Sequence, residues 1–451
     1  MGVKTRKLGN IDNQLLEWQS SIFVGDGSTG LTAEAGKGYF IDTENGTVTV
    51  TLPSDTDGAV NIGDQVAFKD FNRTFETNAL SFASNKFDGV GGQAPSFSTN
   101  GQSIHLIYSG NTNGWQLIGE DTVTGLGAEY VAATGGTITT SGDFKIHVFT
   151  GDGCFVVSSA GNSAGSNAVD YLVVAGGGAS SGGPSGGARE SGGGGAGGFR
   201  VSNSFSLPGP TTSPLASPTG IPVPAATYPI TVGGGGASAC GATKASNGSN
   251  SVFSTITSAG GGAGGVAFNP CSSKNAGSSG GSGGGGSQTP ACSTRPGGDG
   301  NTPPVSPSQG NDGGSGQHVN ANCAAGGGGG GAACAGQNAA SPTPGQGKGG
   351  DGGNGSFIST CFSLPGNGTP GPVSGVRYFS GGGGGGSMSM PAPTAGGKGG
   401  GGDGGTNPST AGTAGSANTG GGGGGHTRDI SPATANAGGK GIVIIRYKFQ
   451  N

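Results

Sequence analysis

Glycine constrains this chain more than any other feature. Between Gly176 and Gly441 lie 83 of its 109 glycines, so nearly a third of that stretch is glycine, against about 7% in ordinary proteins. They come in solid blocks, such as Gly326–Gly331, Gly381–Gly386 and Gly420–Gly425. The strict Gly-X-Y period of a collagen is missing. Glycine loses more backbone freedom on folding than any other residue, so order in such blocks needs strong compensation. A flexible linker needs none. The ordered alternative is a polyproline-II-type helix, with three residues per turn and about 3.1 Å rise, whose backbone groups must bond to neighbouring helices. Only glycine lets backbones approach that closely. A block of six then spans about 19 Å. Linkers rich in Pro, Ser, Asn and Ala separate the blocks. Apolar residues such as Val252, Phe253, Ile256, Phe357 and Ile358 are interspersed, which a linker does not require. The expectation is a polyglycine-II helix bundle over 176–441, with a disordered linker and a β-solenoid with glycine turns as the alternatives.

The remainder reads as mainly β. Residues 1–17 form an N-terminal arm. Residues 18–120 form a small β-sandwich-like module, in which Thr47–Leu52 alternates with period two after the Asn45-Gly46 turn signal. Further strands are expected at Gly38–Asp42, Asp64–Lys69, Ser103–Tyr108 and Trp115–Ile118. A polar connector covers 121–136. A second β segment, 137–175, is completed by 442–451, whose strand Ile442–Tyr447 is expected to pair with it. The glycine region is then one insertion held at its ends by a sheet.

The net charge is −4 and no basic stripe is present, which argues against nucleic acid. No apolar run of about 7–15 residues follows Lys4, Arg6 and Lys7, so no secretory signal is read. No stretch of about 18 apolar residues would span a membrane. Glu190 is the only glutamate after Asp170, and Asp299, Asp312, Asp351 and Asp403 read as glycine turns rather than a glycosidase pair or calcium repeats. The histidines His105, His147, His318 and His426 are dispersed, and the first two read as strand residues. No CxxC occurs. No catalytic, metal or cofactor residue is assigned, and the chain is expected not to be an enzyme.

Two sets of residues carry a resemblance. Gly38–Thr43, Thr47–Pro53, Gly63-Asp64 and Gly114-Trp115 resemble a β module of marine cyanophage structural proteins. Lys145–Thr150, Asp170–Gly178, Gly192–Arg200, Ser251–Gly265 and Gly438–Tyr447 resemble the glycine-rich domain of phage tail proteins, and the block pattern is similar to the tip adhesins of T-even-like phages. The β module ahead of the bundle and the seven cysteines depart from those adhesins. The resemblance implies a virion protein, on a tail fibre, tail tip or capsid fibre. The N-terminal module would hold other virion proteins, with a homotrimer as its oligomeric form. Loops of the bundle would meet a host surface glycan or outer-membrane protein. Loop residues expected to make that contact are Phe268, Asn269, His318, Asn320, Tyr378, Phe379, Met388, Met390 and His426. A purely structural fibre or capsid decoration, and a non-viral ice-binding or matrix protein, are the alternatives.

If successive helices run antiparallel, alternate linkers emerge at one end. Counting glycine blocks puts Cys271 and Cys334 at one end, as a possible disulfide, and Cys240, Cys292, Cys323 and Cys361 at the other. Cys154 is left over as a buried thiol.

Overall fold

The computed structural model describes residues 16–54, 59–122, 129–162, 165–182, 190–207, 211–239, 241, 243–267, 272–289, 295–320, 323–341, 345–390, 392–407, 410–427 and 435–450. It is mainly β, divided into two compact units, Met1–Gly127 and Ala128–Asn451. Among the described residues the one α-helical turn is Thr360–Ser363, and no helix is long and apolar enough to cross a membrane.

The first unit has two sheets. The larger orders Glu17–Trp18, Lys37–Asp42, Gln65–Asp70, Gln102–Tyr108, Trp115–Thr122, Asn85–Phe87 and Val90–Gln93, with Phe23–Val24 also on Lys37–Asp42. The smaller orders Ser96–Phe97, Leu80–Phe82, Val48–Thr51 and Leu31–Thr32. Period-two alternation explains the burial: Val48 and Val50 are buried while Thr49 and Thr51 are exposed. Ile41, Phe68, Ile104 and Trp115 from the larger sheet join Val48, Val50, Leu80 and Phe82 from the smaller in one apolar cluster.

In the second unit the strand Ile442–Lys448 lies between Phe144–Phe149 and Ala168–Val174, antiparallel to both. The two ends of the glycine region are therefore joined in one sheet, which also takes in Thr137–Ser141, Phe199–Ser202 and Ala216–Ser217. Both faces are covered at the centre of that sheet, and this is why Ala168–Val174 and Ile442–Lys448 read as near-continuous apolar runs rather than alternating ones, whereas the edge strand Thr137–Ser141 is exposed. Tyr171, Val173, Val443 and Ile445 face a cluster with Phe155, Ile230 and Phe253. Leu172, Val174, Ile442 and Ile444 face Phe199, Ile358, Phe362 and Phe379. The first cluster is closed by a five-stranded sheet, Val131–Thr134, Gly153–Ala160, Ala226–Thr231, Ser251–Phe253 and Ile256–Ser258.

An ion pair is built into the sheet at the Asp170–Arg446 register position. Arg446 Nη1 lies 3.9 Å from Asp170 Oδ2, with both side chains buried. Asp170 Oδ1 accepts from Ser202 Oγ, Ser204 N and Ser204 Oγ, each at 2.8 Å. The guanidinium stacks 3.7 Å from the Phe144 ring centroid.

Three expectations are corrected here. The connector 121–136 is entered from both sides, by Trp115–Thr122 and by the strand Val131–Thr134. Cys154 is an exposed free thiol, because Gly153–Ala160 turns Phe155 and Val157 inward and Cys154 and Val156 outward. The glycine-region aspartates Asp299, Asp312, Asp351 and Asp403 lie within the runs rather than in turns. His105 and His147 are strand residues, in Gln102–Tyr108 and Phe144–Phe149.

Candidate functional site: the glycine array and its distal end

The run Ser191–Gly198 shows how the glycine blocks are held. Gly192, Gly195 and Gly198 donate their amides to Gly265, Gly262 and Ala259; Gly193 and Ala196 donate to Gly327 and Gly330; Gly194 and Gly197 donate to Gly423 and Gly420, all at 2.8–3.2 Å. Every third residue thus addresses the same neighbour. The carbonyls do likewise: Gly198 and Gly195 accept from Ala175 and Gly178, Ala196 and Gly193 from Ser282 and Gly285, and Gly194 and Ser191 from Gly383 and Gly386. Three neighbours receive and three others donate, so six runs surround this one. A side chain has no room there: a Cβ on Gly194 would strike the Gly178 carbonyl, and one on Gly383 the Gly423 carbonyl. At the glycine positions only a hydrogen atom lets each amide reach its acceptor, which an interior backbone requires, and the one methyl group of the run, on Ala196, is buried without breaking the pattern.

The register also gives direction. Partner numbers fall as donor numbers rise between 192–198 and 259–265, so those runs are antiparallel; they rise together for 193–196 and 327–330, so those are parallel. Followed along the chain, each run reverses the one before it. Ala168–Val174 feeds the first run and Ile442–Lys448 receives the last, so one end of the array adjoins the sheet. The other end is distal.

Polar side chains finish the array where a neighbouring run is missing. Asn247 Oδ1 accepts from Ala263 N at 2.8 Å and Asn250 Oδ1 from Gly260 N at 2.9 Å. Asp351 Oδ1 accepts from Ala395 N at 3.2 Å and Asn354 Oδ1 from Lys398 N at 3.1 Å. Asp312 and Asp403 serve Gly300 N and Gly396 N in the same way. The three-residue spacing within 247/250 and 351/354 keeps both side chains on one flank. That spacing was the sequence signal for these residues, and the turn reading of the aspartates passed over it.

The loop residues expected to make surface contact divide between the ends. His318, Asn320, Met388, Met390 and His426 belong to the distal end, since runs leading away from the sheet deliver them there. Tyr378 and Phe379 are at the sheet end, in the strand Val376–Phe379, and both are buried. Phe379 packs in the cluster with Ile358 and Phe362, and Tyr378 packs 5.4 Å from Phe357. They are core residues, not contact residues. Phe268 and Asn269 lie outside the described residues. Met388 is fully buried, its amide and carbonyl bonded to Gly347. His426 is also buried; its amide donates to Ser191 Oγ at 2.8 Å, and burial pushes its imidazole below the usual range. His318 and Met390 stay half-buried. His318 Nδ1 lies 3.0 Å from Gln288 Oε1, and burial lowers its pKa too. Asn320 ends the strand Gln317–Asn320. Beside it Val319, 57% exposed, is the most open large apolar side chain of this unit's described residues, and the sequence reading missed it.

The suggested Cys271–Cys334 disulfide is not compatible with the run directions. Cys334 is an exposed free thiol at the sheet end. Cys271 lies outside the described residues, but Ala267 and Ser272, which flank it, belong to the distal end. Among the described residues no three His, Cys, Asp or Glu side chains are grouped to hold a metal ion.

A family profile described as a glycine-rich domain matches residues 157–448, about two thirds of the chain. No curated protein matches it.

Proposed function

We propose, for a chain that belongs to the glycine-rich domain family, that the array is a polyglycine-II bundle acting as a rigid scaffold for host-surface recognition, on a bacteriophage tail fibre or tip. The observation that carries the reading is the three-residue recurrence of hydrogen-bond partners around 191–198. It is the repeat of a helix with three residues per turn and no internal bonds. Cross-bonded in six directions, such a bundle holds its loops in fixed relative positions, and loops on a rigid scaffold are where recognition concentrates. Alternation sends every second linker to the distal end, away from the sheet and its apolar clusters. That leaves the distal end open for recognition, with the strands Gln317–Asn320, Ser387–Met388 and Thr406–Asn407 close beside the linkers. The first unit, read as a small β-sandwich, serves as the attachment module to other virion proteins, as a homotrimer. A fibre or decoration protein without receptor contact is the competing reading.

Replacing 317–325 and 389–393 together with Gly-Ser linkers of equal length tests the proposal in the full chain. Retained melting temperature with loss of binding to susceptible bacterial cells is the expected result. Undiminished cell binding, or an equal loss of binding when the same changes are made at the sheet-end linker 302–308, removes the distal-end reading.

A further inference from the structure

The first unit carries a trough on the outer face of its larger sheet. Cross-strand register places Trp18, Gly38, Ala67, His105 and Gly119 in one rung, and Phe40, Lys69 and Ser103 in the next. Gly38, Ala67 and Gly119 give the first rung a floor of backbone and one methyl group. The Trp18 indole lies over Gly38, where a Cβ would come within 2.6 Å of the ring. Its centroid is 4.9 Å from that of Phe40, and Phe40 is 6.2 Å from Phe71. Trp18, which lines the trough with Phe40, is 43% exposed, and Phe71 lies behind Phe40 outside the lining. One wall is therefore aromatic and open to water.

The other side is polar. Lys69 Nζ donates one of its three hydrogens to the Gly101 carbonyl. His105 Nε2 lies 2.7 Å from Gln65 Oε1, so in the neutral ring the proton sits on Nε2 and Nδ1 is left as an acceptor. The cavity between these walls holds about 440 Å³, within the size range of small-ligand sites.

We propose that this trough binds a saccharide chain, with the apolar face of a sugar ring on Trp18 and its hydroxyls towards Lys69, Ser103 and His105. A sugar ring has both surfaces, a CH face and a hydroxyl rim. A lipid chain would desolvate Lys69 and His105 without returning hydrogen bonds. A peptide adding as a strand needs a free sheet edge, and the strands forming the floor, Lys37–Asp42, Gln65–Asp70 and Gln102–Tyr108, are paired on both sides. A second copy of the chain would need a complementary ridge to fill a concave surface.

The chain has two tryptophans, and Trp115 is fully buried, so Trp18 reports on the trough. The experiment titrates the full chain with maltohexaose, cellohexaose and an alginate hexamer, following tryptophan emission and the heat of binding. At least one should shift the emission and bind. Trp18→Ala should weaken that binding about tenfold or more. Gly119→Leu should weaken it comparably while leaving the circular dichroism unchanged, because a Cβ there meets only His105 Cβ, at 3.5 Å. Silence from all three hexamers overturns the proposal. So does binding that survives Gly119→Leu, or Trp18 emission that follows self-association of the chain in sedimentation.

Discussion

At the residue scale the glycines are not equivalent. A Cβ on Gly383 meets the Gly423 carbonyl, whereas one on Gly234 meets nothing within 4 Å. Gly383→Ala should lower the melting temperature by several degrees, since each buried backbone bond left unmade costs about 1–3 kcal/mol. Gly234→Ala should leave it nearly unchanged, and calorimetry on the two variants checks the contrast. The histidines make a second residue-scale prediction. His147 is fully buried, with Nδ1 donating to the Gly135 carbonyl at 2.7 Å and Nε2 3.1 Å from Tyr447 Oη. Burial holds its pKa below the ordinary 6.5, as it does for His105, His318 and His426. The unfolded chain therefore binds protons that the folded one refuses. Stability is complete above about pH 6.5 and declines as pH falls from there towards the folded values. His147→Gln should flatten part of that decline in urea unfolding followed between pH 7 and 5. An equal slope in the variant would show that His147 is solvated.

At the scale of elements, strands were legible and run boundaries were not. Val48–Thr51 and Ile442–Lys448 announce themselves by alternation and by a continuous apolar run. The pairing of the C-terminal strand with Phe144–Phe149 follows from its having both faces buried. Several reversals were invisible, among them one inside Gly396–Gly405 and the run 410–416 beyond it. Residues 246–250 form a run without a glycine block, because a peripheral run has fewer neighbours and tolerates Ser and Asn on its outer side. A reversal near Gly280 splits what reads as one stretch, and Ala333 alone turns the chain between 325–332 and 334–340. Each missed reversal exchanges the ends of later linkers, which is why counting blocks misplaced the cysteines. With directions taken from the hydrogen bonds, the residues flanking Cys240, Cys271, Cys292 and Cys323 all belong to the distal end, while Cys334 and Cys361 are at the sheet end. Lys244 Nζ donates to the Ala276 carbonyl at 2.7 Å, tying the flanks of the first two together, and His318–Gln288 ties the flanks of the second two. Any disulfides should therefore be Cys240–Cys271 and Cys292–Cys323, since bridging needs residues of the same end, with Cα atoms no more than about 7 Å apart. A non-reducing peptide map checks this, and a peptide joining Cys334 or Cys361 to any of the four would contradict the direction assignment.

At the scale of the whole molecule, protection should follow the number of neighbouring runs rather than the presence of regular strands. Residues 192–198, enclosed on six sides, should show slow amide exchange comparable to that of Ile442–Lys448, and peripheral residues 246–250 should exchange faster. Exchange read by mass spectrometry on the full chain tests the ranking. Uniformly fast exchange across 176–441 would mean that the glycine runs are a linker after all. The buried Asp170–Arg446 pair acts on the same scale, because it fixes the strands from which the first and last runs depart.

The threefold recurrence of partners also sets a rule for how such a chain can change in length. Three added glycines restore every later residue to its former bearing, so a run grows by one whole turn and its amides still point at their acceptors. One or two added residues rotate all that follow by about 120° or 240° and aim each donor at the wrong neighbour. Inserting three glycines within Gly420–Gly425 should shift the melting temperature less than inserting one. Length variation among chains built this way would then come in steps of three within the runs and in any step within the distal linkers, a reading frame written in space rather than in codons.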